Sequence, residues 1–129
     1  MFKAVHPILG TRDLERALAF YIEQLGFALA FRDPSAPDNY AGVRREQVDL
    51  HMQWQDAREM APTRLRFLID DPDRLHAEYG ALPIQTPLRS TPWGTREFAL
   101  YDPDRNALTF YRDLSADELR ALRSGPGSP

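Results

Sequence analysis

Apolar positions change their spacing several times along the chain, and each change marks an element. From Lys3 to Leu9 they alternate as in a strand. From Leu14 the spacing becomes helical: Leu14, Leu18, Tyr21, Ile22 and Leu25 form one stripe, with Thr11-Arg12-Asp13 as a cap and Gly26 as a left-handed stop. Phe27 to Arg32 reads as a strand, Asp33 to Asn39 as a polar, proline-rich connector, and Tyr40 to Arg44 with Gln47 to Trp54 as a hairpin. In the second strand of that hairpin Val48, Leu50, Met52 and Trp54 alternate with Asp49, His51, Gln53 and Gln55. A period of two sends the two sets to opposite faces.

The same order then recurs. Leu65 to Ile69 predicts a strand, and Asp71 to Tyr79 a short helix that tolerates Pro72 in its first turn, with Gly80 closing it. Ile84 to Leu88 is a strand weakened by prolines. Arg96 to Tyr101 and Ala107 to Arg112 form a hairpin about Asp102-Pro103-Asp104-Arg105-Asn106. Sliding the chain on itself by 58 residues puts Asp13 on Asp71, Arg16 on Arg74, Ala19 on Ala77 and Tyr21 on Tyr79, then Tyr40 on Phe98, Ala41 on Ala99 and Leu50 on Leu108. A shared frame across elements of one type argues for an internal duplication. The expected fold is therefore α+β, a tandem pair of βαβββ modules over 1–56 and 57–114 within one structural domain. Residues 115–129 follow as a short helix, capped by Ser115-Ala116-Asp117-Glu118, and a disordered tail from Ser124 to Pro129.

Composition narrows the function classes. With 43% hydrophobic and 27% charged residues the chain is an ordinary folding sequence, and no apolar run is long enough for a membrane span. The start lacks the apolar stretch of a secretory signal, so the expected location is the cytoplasm. The absence of cysteine excludes disulfides, thiol catalysis and cysteine zinc sites. A net charge of −3 argues against nucleic acid as a partner. No G-x-S-x-G elbow or glycine-rich phosphate loop is present. Asp102 and Asp104 read as turn residues and Asp70-Asp71 as a helix start, not as acid–base pairs.

The tandem βαβββ order resembles the vicinal-oxygen-chelate superfamily of glyoxalases, extradiol dioxygenases and bleomycin-resistance proteins. The matching segments are His6-Pro7-Ile8-Leu9 with Asp13-Leu14, Phe20-Tyr21 and Leu25-Gly26-Phe27. Ala41-Gly42-Val43-Arg44-Arg45, Leu50-His51, Gly94-Thr95-Arg96-Glu97-Phe98-Ala99 and Asp102-Pro103-Asp104 continue the match. The Ala-Gly-Val-Arg-Arg, Leu-His and Arg-Glu-Phe segments look most like the bleomycin-resistance branch. The resemblance implies curved mixed sheets with a concave cleft, completed by homodimerisation.

Metal-dependent members of this superfamily hold a divalent ion with side chains from the first and last strand of each module. In the repeat frame these positions are His6, His51, Arg64 and Thr109. The two histidines are good ligand types. Arg64 has no lone pair to offer, and Thr109 is a poor neutral donor. Glu97 and His76 lie off the pattern.

The implied cleft is lined by His6, Ile8, Asp49, His51 and Gln53 in the first module. Arg64, Arg66, Leu68, Ala107, Thr109 and Tyr111 line it in the second. Phe31, Tyr40, Trp54, Trp93, Phe98 and Tyr101 are candidates to clamp a planar ligand. Trp54 shares a face with Leu50 and Met52, which leaves core or dimer packing equally open for it. The two arginines can meet an acidic ligand or pair with Asp49 and Glu97. The candidate ligand-binding set is His6, Asp49, His51, Gln53, Arg64, Trp93, Phe98, Thr109 and Tyr111, with no catalytic residue and no cofactor. The expected function is stoichiometric capture of a small molecule by a homodimer. The alternatives are a metal-dependent lyase or dioxygenase using His6 and His51, and a module whose cleft holds no ligand.

Overall fold

Asp13 caps the first helix by accepting the Arg16 amide at 3.1 Å, and Asp71 accepts the Arg74 amide at 3.0 Å at the start of the second. From these two matched starts the computed structural model, which describes residues 1–124, builds two four-stranded mixed sheets. In the first, β1 (Ile8–Thr11), α1 (Leu14–Ala19), β2 (Ala28–Arg32), β3 (Tyr40–Arg45) and β4 (Val48–Trp54) give the strand order β1-β4-β3-β2. In the second, β5 (Arg64–Leu68), α2 (Pro72–Glu78), β6 (Ile84–Ser90), β7 (Thr95–Tyr101) and β8 (Ala107–Asp113) give β5-β8-β7-β6. In each sheet the first and last strands of the module pair in parallel and the others antiparallel. This is the expected α+β fold of two similar modules.

Each sheet buries the face that meets its helix. In the first, Leu9, Ala41, Val43, Leu50 and Met52 are at most 1% exposed, and α1 covers them with Leu14, Ala17 and Leu18. In the second, Phe67, Phe98, Leu100, Leu108 and Phe110 fill the same role under α2. Fully burying one such side chain stabilises the fold by about 1.5–3 kcal/mol. After Ala19 the first helix continues as a π-helical segment, Phe20–Gln24, with the Leu25 amide donating to Phe20 O at 3.0 Å. Gly26 stops it at φ 81°.

The chain divides into two compact units, 1–63 with 102–106, and 64–101 with 107–129. The β7–β8 turn belongs to the first because its acids are bonded there. Asp102 accepts from the Tyr21 hydroxyl at 2.7 Å and from Asn106 Nδ2 at 2.8 Å. Asp104 accepts from the Thr11 hydroxyl at 2.6 Å, the Arg12 amide at 3.0 Å and Arg16 at 2.8 Å. Both are structural acids.

Several boundaries move. The first strand starts at Ile8, not Lys3; Lys3 and Ala4 would face the β3–β4 turn at Glu46 and Gln47, and a turn offers no ladder. Strand β6 runs on to Ser90 despite Pro87, as a bulged edge strand can. Ser115 and Glu118 form the expected reciprocal cap on α3 (Ala116–Ser124). Ser124 is thus helical, and the rest of the expected tail, 125–129, lies outside the described residues. No helix among the described residues is long and apolar enough to cross a membrane.

The repeat frame also slips. Val43 faces Leu50 across the first hairpin, whereas Leu100 faces Leu108 in the second. Strand β4 maps onto β8 at 58 residues, but β3 maps onto β7 at 57. Phe98 therefore answers to Ala41 in the core, and Glu97 answers to Tyr40.

Candidate functional site

The face of each sheet turned away from its helix carries the chemistry. In the first unit, His51 stands on β4 between Asp49 and Gln53, beside Gly42 of β3 and Ile8 of β1. The His6 ring stacks on His51 with centroids 4.8 Å apart and planes 21° from parallel. Phe31 and Tyr40 meet His51 edge-on at 5.1 and 5.5 Å. Tyr40 Oη and His51 Nδ1 share a 2.7 Å hydrogen bond. Gly42 is what admits Phe31, since a Cβ there would run into the Phe31 ring.

Charge in this cluster is locally settled. Arg44 grips Asp49 with two bonds of 2.7 and 2.9 Å, and the hydrogen bonding holds the Asp49 carboxyl below its usual range. Asp49 also lies 3.9 Å from His6 Nε2. Burial of the ring, helped by the neighbouring His6, pushes the His51 pKa down against the opposite pull of Asp49.

In the second unit the matching face holds Arg64, Arg66, Thr109, Tyr111, Glu97 and Ala99. Glu97 is only 6% exposed. Its Oε1 accepts from the Thr95 hydroxyl at 2.6 Å, the Trp93 indole at 3.3 Å and Arg66 at 3.5 Å. Arg66 lies over the Tyr111 ring at 4.3 Å and Arg89 over the Trp93 ring at 5.2 Å. Trp93 is 60% exposed, a solvent-facing ring tethered at its nitrogen.

The candidates thus separate. His6, Asp49, His51 and Gln53 gather on one sheet face, and Arg64, Thr109 and Tyr111 on the other, with Trp93 at the edge of the second. Phe98 does not join them and is corrected to a core residue. It is 0% exposed, stacked on Phe110 at 5.2 Å and edge-on to Tyr79 and His76, so it offers no ring to a ligand. Glu97, Arg89, Gly42 and Arg44 were not in the candidate set. Parity along β7 was the available signal for Glu97, because Phe98 and Leu100 share one face and Glu97 and Tyr101 the other. Asp49 pairs with Arg44, and Arg66 pairs with Glu97. A separate open hollow of about 320 Å³ lies among Arg12, Asp13, Glu15, Asn39 and Trp54, and Arg12 stacks over the indole at 5.2 Å.

The positions where a divalent metal is implied do not fit one. Arg64 and Thr109 bring no imidazole or carboxylate, and the His6 and His51 rings lie face to face rather than converging on a point. Among the described residues no three His, Cys, Asp or Glu side chains are grouped to hold an ion.

Comparison with known proteins places this geometry in a family. The model for the Glyoxalase/Bleomycin resistance protein/Dioxygenase superfamily matches residues 3–110. A bleomycin resistance protein of Geobacillus stearothermophilus is 24% identical over 85% of this chain and 96% of its own. The bleomycin-binding protein of bleomycin-producing Streptomyces verticillus, solved with copper(II)-bleomycin, is 29% identical with a TM-score of 0.67, over 85% of this chain and 95% of that one. Lactoylglutathione lyase from Agrobacterium tumefaciens shares the fold at a TM-score of 0.68 and 20% identity, over 84% of this chain and 92% of its own. The chain therefore belongs to the glyoxalase/bleomycin resistance protein/dioxygenase superfamily.

Proposed function

We propose that this protein is a non-catalytic small-molecule-binding protein of the bleomycin-resistance type. It captures a planar, drug-like ligand stoichiometrically on its helix-free sheet faces, in a cleft completed by a second copy, and needs no cofactor. One observation carries the reading: Trp93 is 60% exposed yet fixed through its indole nitrogen to the buried Glu97. A large ring held still in water is a stacking plane prepared before the ligand arrives. The bleomycin resistance and bleomycin-binding relatives support the ligand class. Ile8, Leu29, Phe31 and Leu68, exposed by 38–65%, support a partner copy.

Titration of planar aromatic compounds, copper(II)-bleomycin among them, is expected to quench tryptophan fluorescence saturably. Trp93→Ala is expected to weaken binding about tenfold, the equivalent of one lost stacking contact, while leaving the melting temperature within a few degrees. Turnover of a glutathione hemithioacetal on addition of zinc, nickel or manganese, abolished by His51→Ala, would replace this reading with the lyase alternative. Absence of both binding and turnover would leave a module without a ligand.

A further inference from the structure

We infer that the helix-free face of the second unit seats the acidic end of the ligand, with Arg64, Arg66 and Arg89 receiving a planar aromatic carboxylate between the Tyr111 and Trp93 rings. The inference rests on the binding reading above and adds the ligand's charge and its anchor.

Three guanidinium groups share this face with one buried carboxylate. Arg64 and Arg66 are two residues apart on β5 and point to the same side, Arg66 beside Thr109. Arg89 stands opposite Glu97 on β6. Glu97 is mostly spent, since its Oε1 already accepts three donors and the residue is 6% exposed. Asp113 of β8, the other carboxylate on this face, is exposed at the strand end opposite Thr95. The charge this face presents to solvent is therefore positive, although the chain as a whole carries −3.

The arginines are also free to act. Arg64 is exposed, and its side chain makes no ion pair, hydrogen bond or ring contact among the described residues. Arg66 gives Glu97 a single nitrogen at 3.5 Å, a long contact, and its side chain is 49% exposed. A guanidinium has five N–H donors in a planar fork that matches a carboxylate with two parallel bonds. Placed over the Tyr111 ring at 4.3 Å with its side chain half exposed, Arg66 is already positioned, so less rotamer freedom is lost when an acid docks. The surface on the side of Tyr111 away from Trp93 is small, Ala99, Ala107 and Thr109 beside Arg64 and Arg66, which leaves room there for the carboxylate end of the ligand.

Calorimetric titration of the full chain with naphthalene-2-carboxylate, its neutral carboxamide and the cationic naphthalen-2-ylmethylamine separates the charges on one ring. The carboxylate is expected to bind about tenfold or more tightly than the other two, the difference shrinking as salt is raised. Arg66→Gln is expected to abolish the preference without unfolding the protein, because the side chain is half exposed, and Arg89→Gln to reduce it. Equal affinity for all three probes would overturn the charge assignment and leave the binding reading standing. Tightest binding of the amine, lost in Glu97→Gln, would overturn it in favour of a cation seat. No binding of any probe or of copper(II)-bleomycin would overturn both.

Discussion

The His51 ring is desolvated by its neighbours and faces a second imidazole, so adding a proton to it costs more than in water. Its folded pKa lies below the ordinary 6.5. His51 therefore supports the fold above that value, and its contribution is lost as pH falls through 6.5 toward the folded pKa. His6→Ala removes a burying ring and a repelling charge and should raise the His51 pKa. Asp49→Asn removes an attracting charge and should lower it. Imidazole NMR titration reads both, and movement in the opposite directions would contradict the cluster geometry. Asp49, His51 and Gln53 were legible from the strict alternation of β4, and His6 from its place two residues ahead of Ile8, in step with that residue, although β1 itself begins only at Ile8. Phe98 and Glu97 were exchanged because a one-residue slip in a strand turns every side chain to the other face. Tyr40-on-Phe98 looks like the better match in sequence, yet the chain from Leu100 to its partner Leu108 is one residue longer than that from Val43 to Leu50, and cross-strand pairing puts Glu97 where Tyr40 stands.

Among the elements, the helices were read most securely, because Asp13 and Asp71 announce their starts and Tyr21 and Tyr79 fill equivalent core positions, 1% and 2% exposed. The π-helical end of the first was not legible, since its apolar spacing also suits an ordinary α-helix. Strand β1 was misplaced because local alternation says nothing about whether a partner strand reaches that far. The β7–β8 turn shows how much a turn can carry. Tyr21→Phe deletes a buried bond to a carboxylate and is expected to destabilise the protein by about 2 kcal/mol in urea unfolding. A loss under about 0.5 kcal/mol would show that Asp102 holds the turn without it. Gly42→Ala tests the β2–β3 contact. The new methyl must displace the half-exposed Phe31 ring from the edge of His51, so stability should fall modestly while ligand binding on that face weakens.

At the scale of the whole molecule, the duplication makes two sheets of one design and then gives their helix-free faces different chemistry. The first carries imidazoles, phenol and amide; the second carries guanidinium groups, a buried carboxylate and a tethered indole. The superfamily holds both enzymes and drug-binding proteins, so the fold does not choose between them, and the side chains on these faces do. Binding on those faces is read by backbone and indole NMR shifts on adding naphthalene-2-carboxylate. Changes are expected at Arg66, Thr109, Tyr111 and the Trp93 indole, with α2 undisturbed. Changes confined to the hollow around Arg12, Asn39 and Trp54 would contradict binding there.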